Sequence, residues 1–247
     1  MTLAQDFDFT GRRILLTGAA NGFGAAMATL FHAAGARLVL ADIEEQALAE
    51  VATRCGGAEA HVFDQADPQS VERLAKAAGA VDILINNAGV LVAKPLLETS
   101  LEEIRRTIDV DFVGALRLMQ LVGKGMVERQ RGVILSIGSQ TAFSGGENRA
   151  VYAAAKAAIS QLTKSAAVEW GPHGVRVVCL APGRSLTRMS RQTVKEGQSG
   201  DRGLGRVPLG RWGTAEEIAK MAMFLVSDAA AYVTGETVIA DGGYVHG

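Results

Sequence analysis

Tyr152 and Lys156 stand four residues apart in the run Tyr152-Ala153-Ala154-Ala155-Lys156, a stretch built from strong helix formers. On a helix, that spacing puts the phenol and the ammonium on one face. A free tyrosine keeps its proton up to about pH 10, which makes it useless as a base at neutral pH. A neighbouring positive charge favours the phenolate and lowers that value. A tyrosine tuned in this way can exchange a proton with an alcohol or a carbonyl oxygen. Taken alone, such a spacing more often marks a surface pair without a role, so the surroundings decide. Ser139 precedes Tyr152 by 13 residues and follows the long apolar run Gly132 to Ile137. At the carboxyl end of a strand, its hydroxyl would hold the substrate oxygen that Tyr152 protonates or deprotonates.

A second group of residues suits an anion. The first apolar run ends in Thr17-Gly18-Ala19-Ala20-Asn21-Gly22-Phe23-Gly24 and then opens a helical pattern. Small residues let the backbone turn tightly, and a helix N-terminus offers free N–H groups and a favourable dipole to a pyrophosphate. Asp42 closes the second apolar run, 18 residues past Gly24. That is near the offset at which a carboxylate accepts hydrogen bonds from ribose hydroxyls. The same charge repels a 2′-phosphate. Ile43 is apolar and no base sits beside Gly22, so the expected cofactor is NAD rather than NADP. Phe63-Asp64-Gln65 and Asn86-Asn87-Ala88-Gly89 mark two further strand ends. Asp64 would accept from an adenine amino group, and Asn86, Ala88 and Gly89 would put small or polar surface beside the dinucleotide.

These residues need elements to carry them. Short apolar runs at 13–17, 37–41, 81–85, 132–137, 175–180 and 237–240 are mostly continuous rather than alternating, as in strands covered on both faces. Helical patterns lie between them, at 25–33, 44–54, 70–78, 101–129, 152–170 and 215–225. Repeated strand–helix–strand units predict an α/β fold: one domain over residues 1–247, a Rossmann-type doubly wound parallel sheet with helices on both faces. Arg188 to Gly213 is a long irregular segment. Its stretch to Arg211 holds six bases (Arg188, Arg191, Lys195, Arg202, Arg206, Arg211) against Glu196 and Asp201.

Composition narrows the function classes. With 25 Lys plus Arg and 26 Asp plus Glu, the formal charge is −1, which speaks against nucleic acid or an anionic membrane surface as partner. The chain is 48% hydrophobic and 21% charged, a globular balance. Two cysteines, Cys55 and Cys179, fit a reducing compartment and no disulfide framework. His32, His61, His173 and His246 show no metal-ligand spacing, so no metal is expected. No apolar run reaches membrane-spanning length. The acidic opening from Met1 to Asp8 lacks a basic stretch followed by an apolar one. The expectation is a cytoplasmic protein.

Taken in order over nearly the whole chain, the set resembles the short-chain dehydrogenase/reductase family. It comprises Thr17 to Gly24, Asp64, Asn86 to Gly89, Ser139, Tyr152 with Lys156, Pro182-Gly183, Thr234-Gly235-Glu236 and Asp241-Gly242-Gly243. The resemblance implies that Tyr152 is the acid/base, that Lys156 binds the nicotinamide ribose and lowers the tyrosine pKa, and that Ser139 positions the substrate. It implies dinucleotide contacts from Gly18, Asn21, Gly22, Phe23, Gly24, Asp42, Ile43, Asp64, Gln65, Asn87, Ala88, Gly89, Tyr152, Lys156, Pro182, Gly183, Ser185 and Thr187, the last to the nicotinamide carboxamide. In Val110-Asp111-Phe112-Val113-Gly114 an aspartate replaces the family's usual asparagine, whose side chain braces the helix and whose carbonyl supports a water on the lysine. A carboxylate there would raise the lysine pKa. Ser185 stands where an aliphatic residue is usual, Gly138 where a first serine is frequent, and Phe23 where isoleucine or leucine is frequent.

The expected activity is NAD-dependent interconversion of a secondary alcohol (polyol, diol, sugar or cyclic alcohol) and its ketone. Ser139, Gln140, Phe143, Asn148 and Tyr152 are the candidate substrate contacts, with Ala142, Glu147, Arg149, Val90, Leu91 and Ala93 nearby. Residues 188–213 resemble a substrate lid, and helices 101–129 and 152–170 resemble those that pair subunits into a homotetramer or homodimer. Two competing readings are an NADPH-dependent carbonyl or 3-oxoacyl-thioester reductase, against which Asp42 speaks, and a non-catalytic dinucleotide sensor, for which Asp111 speaks.

Overall fold

The structure is a computed structural model that describes residues 3–185 and 201–247. Thr187 and half of the expected lid, residues 188–200, lie outside the described residues. The apolar runs become parallel strands β1 (Arg13–Thr17), β2 (Arg37–Asp42), β4 (Ile83–Asn86), β5 (Gly132–Ile137), β6 (Val175–Pro182) and β7 (Thr237–Ala240), joined by β3 (Glu59–Val62). Their order is β3-β2-β1-β4-β5-β6-β7. The direction of winding reverses between β1 and β4, where an open parallel sheet leaves a crevice beyond its carboxyl ends.

Continuous apolar runs follow from two covered faces. Ile14, Leu16, Leu38, Leu40, Ile85, Ile137 and Leu180 pack in one layer with α2 (Gly22–Ala33), α3 (Glu45–Arg54) and α8 (Ala215–Val226). Leu15, Val39, Leu84, Ile134 and Val177 point the other way, into a layer with α4 (Pro68–Ala78), α6 (Ala115–Glu128) and α7 (Ala150–Trp170). Burying each such side chain contributes about 1.5–3 kcal/mol, so both faces hold the strand ends in place. β3 was absent from the apolar runs. It pairs with β2 alone, and its Glu59 and Val62 are exposed.

One expected element is divided. The stretch 101–129 forms α5 (Leu101–Ile108), a π-helical turn at Asp109–Gly114, and then α6. Such wide turns collect at functional sites. Its carbonyls receive side-chain donors: Gln65 Nε2 donates to Val110 O at 2.6 Å, and Asn86 Nδ2 donates to Ala115 O, just past the turn, at 3.2 Å. On the two helical stretches expected to pair subunits, 101–129 and 152–170, Met119, Val122 and Ala166 are buried in the chain's own core.

Candidate active site

A cleft of about 570 Å³ runs along the carboxyl edge of the sheet. The glycine loop after β1 forms its floor at one end. Gly18 has φ +65°, and a Cβ there would stand 2.7 Å from Asn87 Nδ2 and 2.8 Å from the Ala88 backbone. Only glycine lets β1 and the β4 strand end come this close. Gly24 does not line the cleft; a Cβ there would lie 1.9 Å from Gly18 O, so it seats α2 against the loop. Asn21 is the N-cap of α2, yet its side chain caps no backbone N–H; it reaches Glu44 Oε2 instead, at 3.3 Å. The first turn of a twelve-residue helix thus faces the cleft without a side-chain cap, an arrangement that suits a pyrophosphate.

Asp42, Ile43 and Glu44 follow at the end of β2 and line the same region. The Asp42 carboxylate accepts from Ala20 N at 2.9 Å and from Glu44 N at 3.0 Å, which fixes its direction. Asp64 also lines the cleft, and Arg106 Nη1 donates to both of its oxygens at 3.1 and 3.2 Å. Asn87, Ala88 and Gly89 line the middle. Asn86 does not, because its amide points into the fold toward Ala115. The glycine cradle, the uncapped helix end and the fixed carboxylate together fit a dinucleotide.

The other end holds the chemistry. Ser139 follows β5 and is buried; Thr141 Oγ1 donates to its Oγ at 2.9 Å and Thr141 N at 3.2 Å. Tyr152, near the start of α7, shares a hydrogen bond with Ser139. Lys156 lies one turn further on, 5% exposed, with Nζ 5.6 Å from the centre of the Tyr152 ring. Nζ donates to Ile137 O at 3.1 Å and faces Asp111 Oδ1 at 3.6 Å. Asp111 is 1% exposed; its Oδ1 accepts from Val90 N at 3.0 Å, and its Oδ2 has no hydrogen-bond partner.

Sequence reasoning expects the lysine to draw the phenol's pKa down. In the structure the net direction is upward. Burial raises it, Lys156 opposes that rise, Asp111 adds to it, and the Ser139 bond and Arg149 pull it down. For Lys156, burial favours the neutral amine, but Asp111 and Tyr152 outweigh it and hold the proton more tightly. For Asp111, burial dominates and raises the pKa against Lys156 and the Val90 N–H.

Phe143 and Asn148, expected as substrate contacts, do not line the cleft; Phe143 is exposed and Asn148 adopts φ +60° in the preceding loop. Gln140, Pro182, Gly183 and Ser185 line it. So do four residues that the motifs left aside: Arg106, Thr141, Arg184 and Trp212. The adjacency of Arg184 to Pro182-Gly183 was the one available signal for it. Among the described residues no group of three metal-binding side chains occurs, and no helix is long and apolar enough to cross a membrane.

Comparisons with known proteins agree with this geometry. Residues 18–245 match the family model described as enoyl-(acyl carrier protein) reductase. L-xylulose reductase of Bos taurus is 36% identical over 242 residues, covering 98% of this chain and 99% of that one. D-threitol dehydrogenase of Mycolicibacterium smegmatis is 37% identical over 252 residues, covering 98% and 96%. Among solved structures, the RhlG/NADP active-site complex of Pseudomonas aeruginosa superposes with a TM-score of 0.90 at 30% identity, covering 98% of this chain and 99% of that one. A serine, a tyrosine and a lysine gathered beside a dinucleotide-shaped cleft, in a chain matched along nearly its full length, make this an oxidoreductase: the chain belongs to the short-chain dehydrogenase/reductase family.

Proposed function

We propose that the protein uses NAD to interconvert a secondary alcohol of the polyol or sugar class and its ketone. One observation carries the reading: the Tyr152 hydroxyl is bonded to Ser139 and backed by buried, charged Lys156 at the open edge of the cleft. Ser139 Oγ and Tyr152 Oη form a pair that grips one substrate oxygen. Tyr152 takes the proton of a bound alcohol in oxidation and returns it in reduction, a contribution on the order of 10²–10⁴ in rate. Lys156 keeps a positive charge behind the phenol and lessens the cost of forming phenolate. When bound, the nicotinamide supplies the hydride chemistry. Both curated relatives reported above bear the names of sugar or polyol oxidoreductases, which supports the substrate class.

NAD is favoured because Asp42, Ile43 and Glu44 present two carboxylates and no cation where a 2′-phosphate would lie. A second reading, NADPH-dependent reduction of a carbonyl or a 3-oxoacyl thioester, draws support from the family model's description and from the NADP complex. We take the 247 residues as one catalytic domain acting in the cytoplasm, in keeping with two buried free cysteines. We take the assembly to be a homotetramer or homodimer. Val113 and Val168, exposed beside α6 and on α7, offer apolar surface for it. The test is a panel of polyols, sugars and cyclic alcohols run with NAD⁺ and NADP⁺ on wild type and Tyr152→Phe. Turnover with NAD⁺ that falls at least a hundredfold in the variant, with NADH binding retained, supports the reading. Preference for NADP⁺ overturns the cofactor, and wild-type rates in the variant overturn the base.

A further inference from the structure

Charge is unevenly spread along the cleft, with Arg106 at the carboxylate end paired to Asp64. The carboxylates that line it, among the described residues, are Asp42, Glu44 and Asp64, all at the end assigned to the adenosine half. The lining around Tyr152 carries Arg149, Lys156 and Arg184. Lys156 is occupied by Asp111 and Ile137 O. Neither arginine exchanges a proton with the substrate, though Arg149 pulls the phenol's pKa down, and both line the cleft where a substrate must sit.

Arg149 lies one helical turn before Tyr152 and lines the cleft, and its pKa is lowered by burial and then by the charge of Arg184. Two partly buried guanidinium groups thus line one pocket. Arg184 is fixed between aromatic rings, its guanidinium carbon 5.7 Å from the ring centres of both Trp212 and Tyr244. Its Nε is buried without a hydrogen-bond partner, and a buried donor left unmade is expensive. Nearby, Gln140 Oε1 is likewise buried and unpartnered. The two rings restrict the Arg184 guanidinium, and a restricted fork suits bidentate recognition of an oxyanion.

We infer that Arg149 and Arg184 form an anion subsite, so that the natural substrate is a polyhydroxylated compound bearing a carboxylate or phosphate rather than a neutral polyol. This rests on the reading of Tyr152 as the acid/base, because that residue sets which end of the cleft receives substrate. The anionic group lies against the two guanidinium forks, and the reacting hydroxyl lies against Ser139 and Tyr152.

The experiment compares D-gluconate, glucitol 6-phosphate and glucitol as substrates with NAD⁺, for wild type, Arg149→Gln, Arg184→Gln and the charge-keeping Arg184→Lys. Calorimetric binding of gluconate and of glucitol 6-phosphate to the NADH complex is measured alongside. Wild type should favour one of the anions over glucitol by at least about tenfold in kcat/KM. Each glutamine variant should cut that ratio by roughly tenfold or more, through KM, with Arg184→Lys between. NADH affinity reports both folding and cofactor contact. Preference for glucitol, or an unchanged ratio in both glutamine variants, overturns the inference and leaves the proposed function standing. NADH affinity lost in step with substrate affinity assigns the arginines to the cofactor's phosphates and also overturns it. Anion binding that the glutamine variants abolish, without turnover of any of the three compounds, upholds the subsite and overturns the proposed function instead.

Discussion

Asp111→Asn removes one charge from the deepest part of the site and keeps its shape. Asp111 Oδ1 lies 3.6 Å from Lys156 Nζ, which in turn lies 5.6 Å from the Tyr152 ring centre. The carboxylate oxygen is therefore no more than about 9 Å from the phenol ring. At an effective dielectric near 20, a unit charge at that distance acts with roughly 2 kcal/mol, equivalent to a little over one pH unit of titration. Asp111 raises the Tyr152 pKa, so its neutral replacement favours phenolate and lowers it. The limb of kcat/KM for alcohol oxidation that reports Tyr152 should move down by about one pH unit. The corresponding limb for ketone reduction should move the same way, since reduction needs the protonated phenol. An asparagine oxygen still accepts from Val90 N, so the brace on the wide turn survives. The assay is initial rate against pH in both directions at subsaturating substrate, with NADH affinity as control. A limb that stays in place, or moves to higher pH, refutes the argument that this carboxylate acts on the phenol's proton.

Two other substitutions test separate parts of the architecture. Asp42→Asn keeps an acceptor for Ala20 N or Glu44 N but loses the charge that opposes a 2′-phosphate. Relative kcat/KM for NADP over NAD should rise by on the order of tenfold, and an unchanged ratio counts against Asp42 as the discriminator. Thr214 caps α8 in a reciprocal box with Glu217, whose pKa is pulled down to about 2 by Arg211 and the Thr214 N–H. Thr214→Ala should cost about 1 kcal/mol in urea unfolding at neutral pH. A lowered carboxyl pKa contributes stability that is complete above about pH 4.5 and is lost as the pH falls toward 2, so acid unfolding should follow that window.

Much of this was legible before any coordinates, and the misses have physical causes. The strands under two helical layers read clearly because both of their faces are apolar. β3 escaped because it is an edge strand with exposed Glu59 and Val62, and its sequence need not be apolar. The break in 101–129 was invisible because Asp109 to Gly114 is compatible with ordinary helix. The contacts that hold the turn are tertiary: Gln65 donates to Val110 O within it and Asn86 to Ala115 O just past it, both from distant parts of the chain. The site residues followed the same rule. Gly18, Asp42, Ser139, Tyr152 and Lys156 are spaced by strand and helix geometry, which a sequence records. Arg149, three residues before Tyr152 at the head of α7, was within reach of the same spacing, whereas Arg184 and Trp212 meet through loops and no spacing connects them. Lys156 does pull the phenol's pKa down, as the spacing implies, and burial reverses the net direction. A sequence displays the charge four residues away, but not the burial around it.

That burial changes what Asp111 means. Lys156 and Arg149 both pull the phenol toward phenolate, while burial and Asp111 hold its proton. A neutral asparagine leaves burial alone against that pull. The carboxylate offsets it and also secures the proton on Lys156, so one residue steadies both members of the pair. A cleft that gathers arginines for an anionic substrate needs such a balance more than one lined with neutral groups. The departure from the family's asparagine and the excess of cations around Tyr152 are then two sides of one electrostatic arrangement.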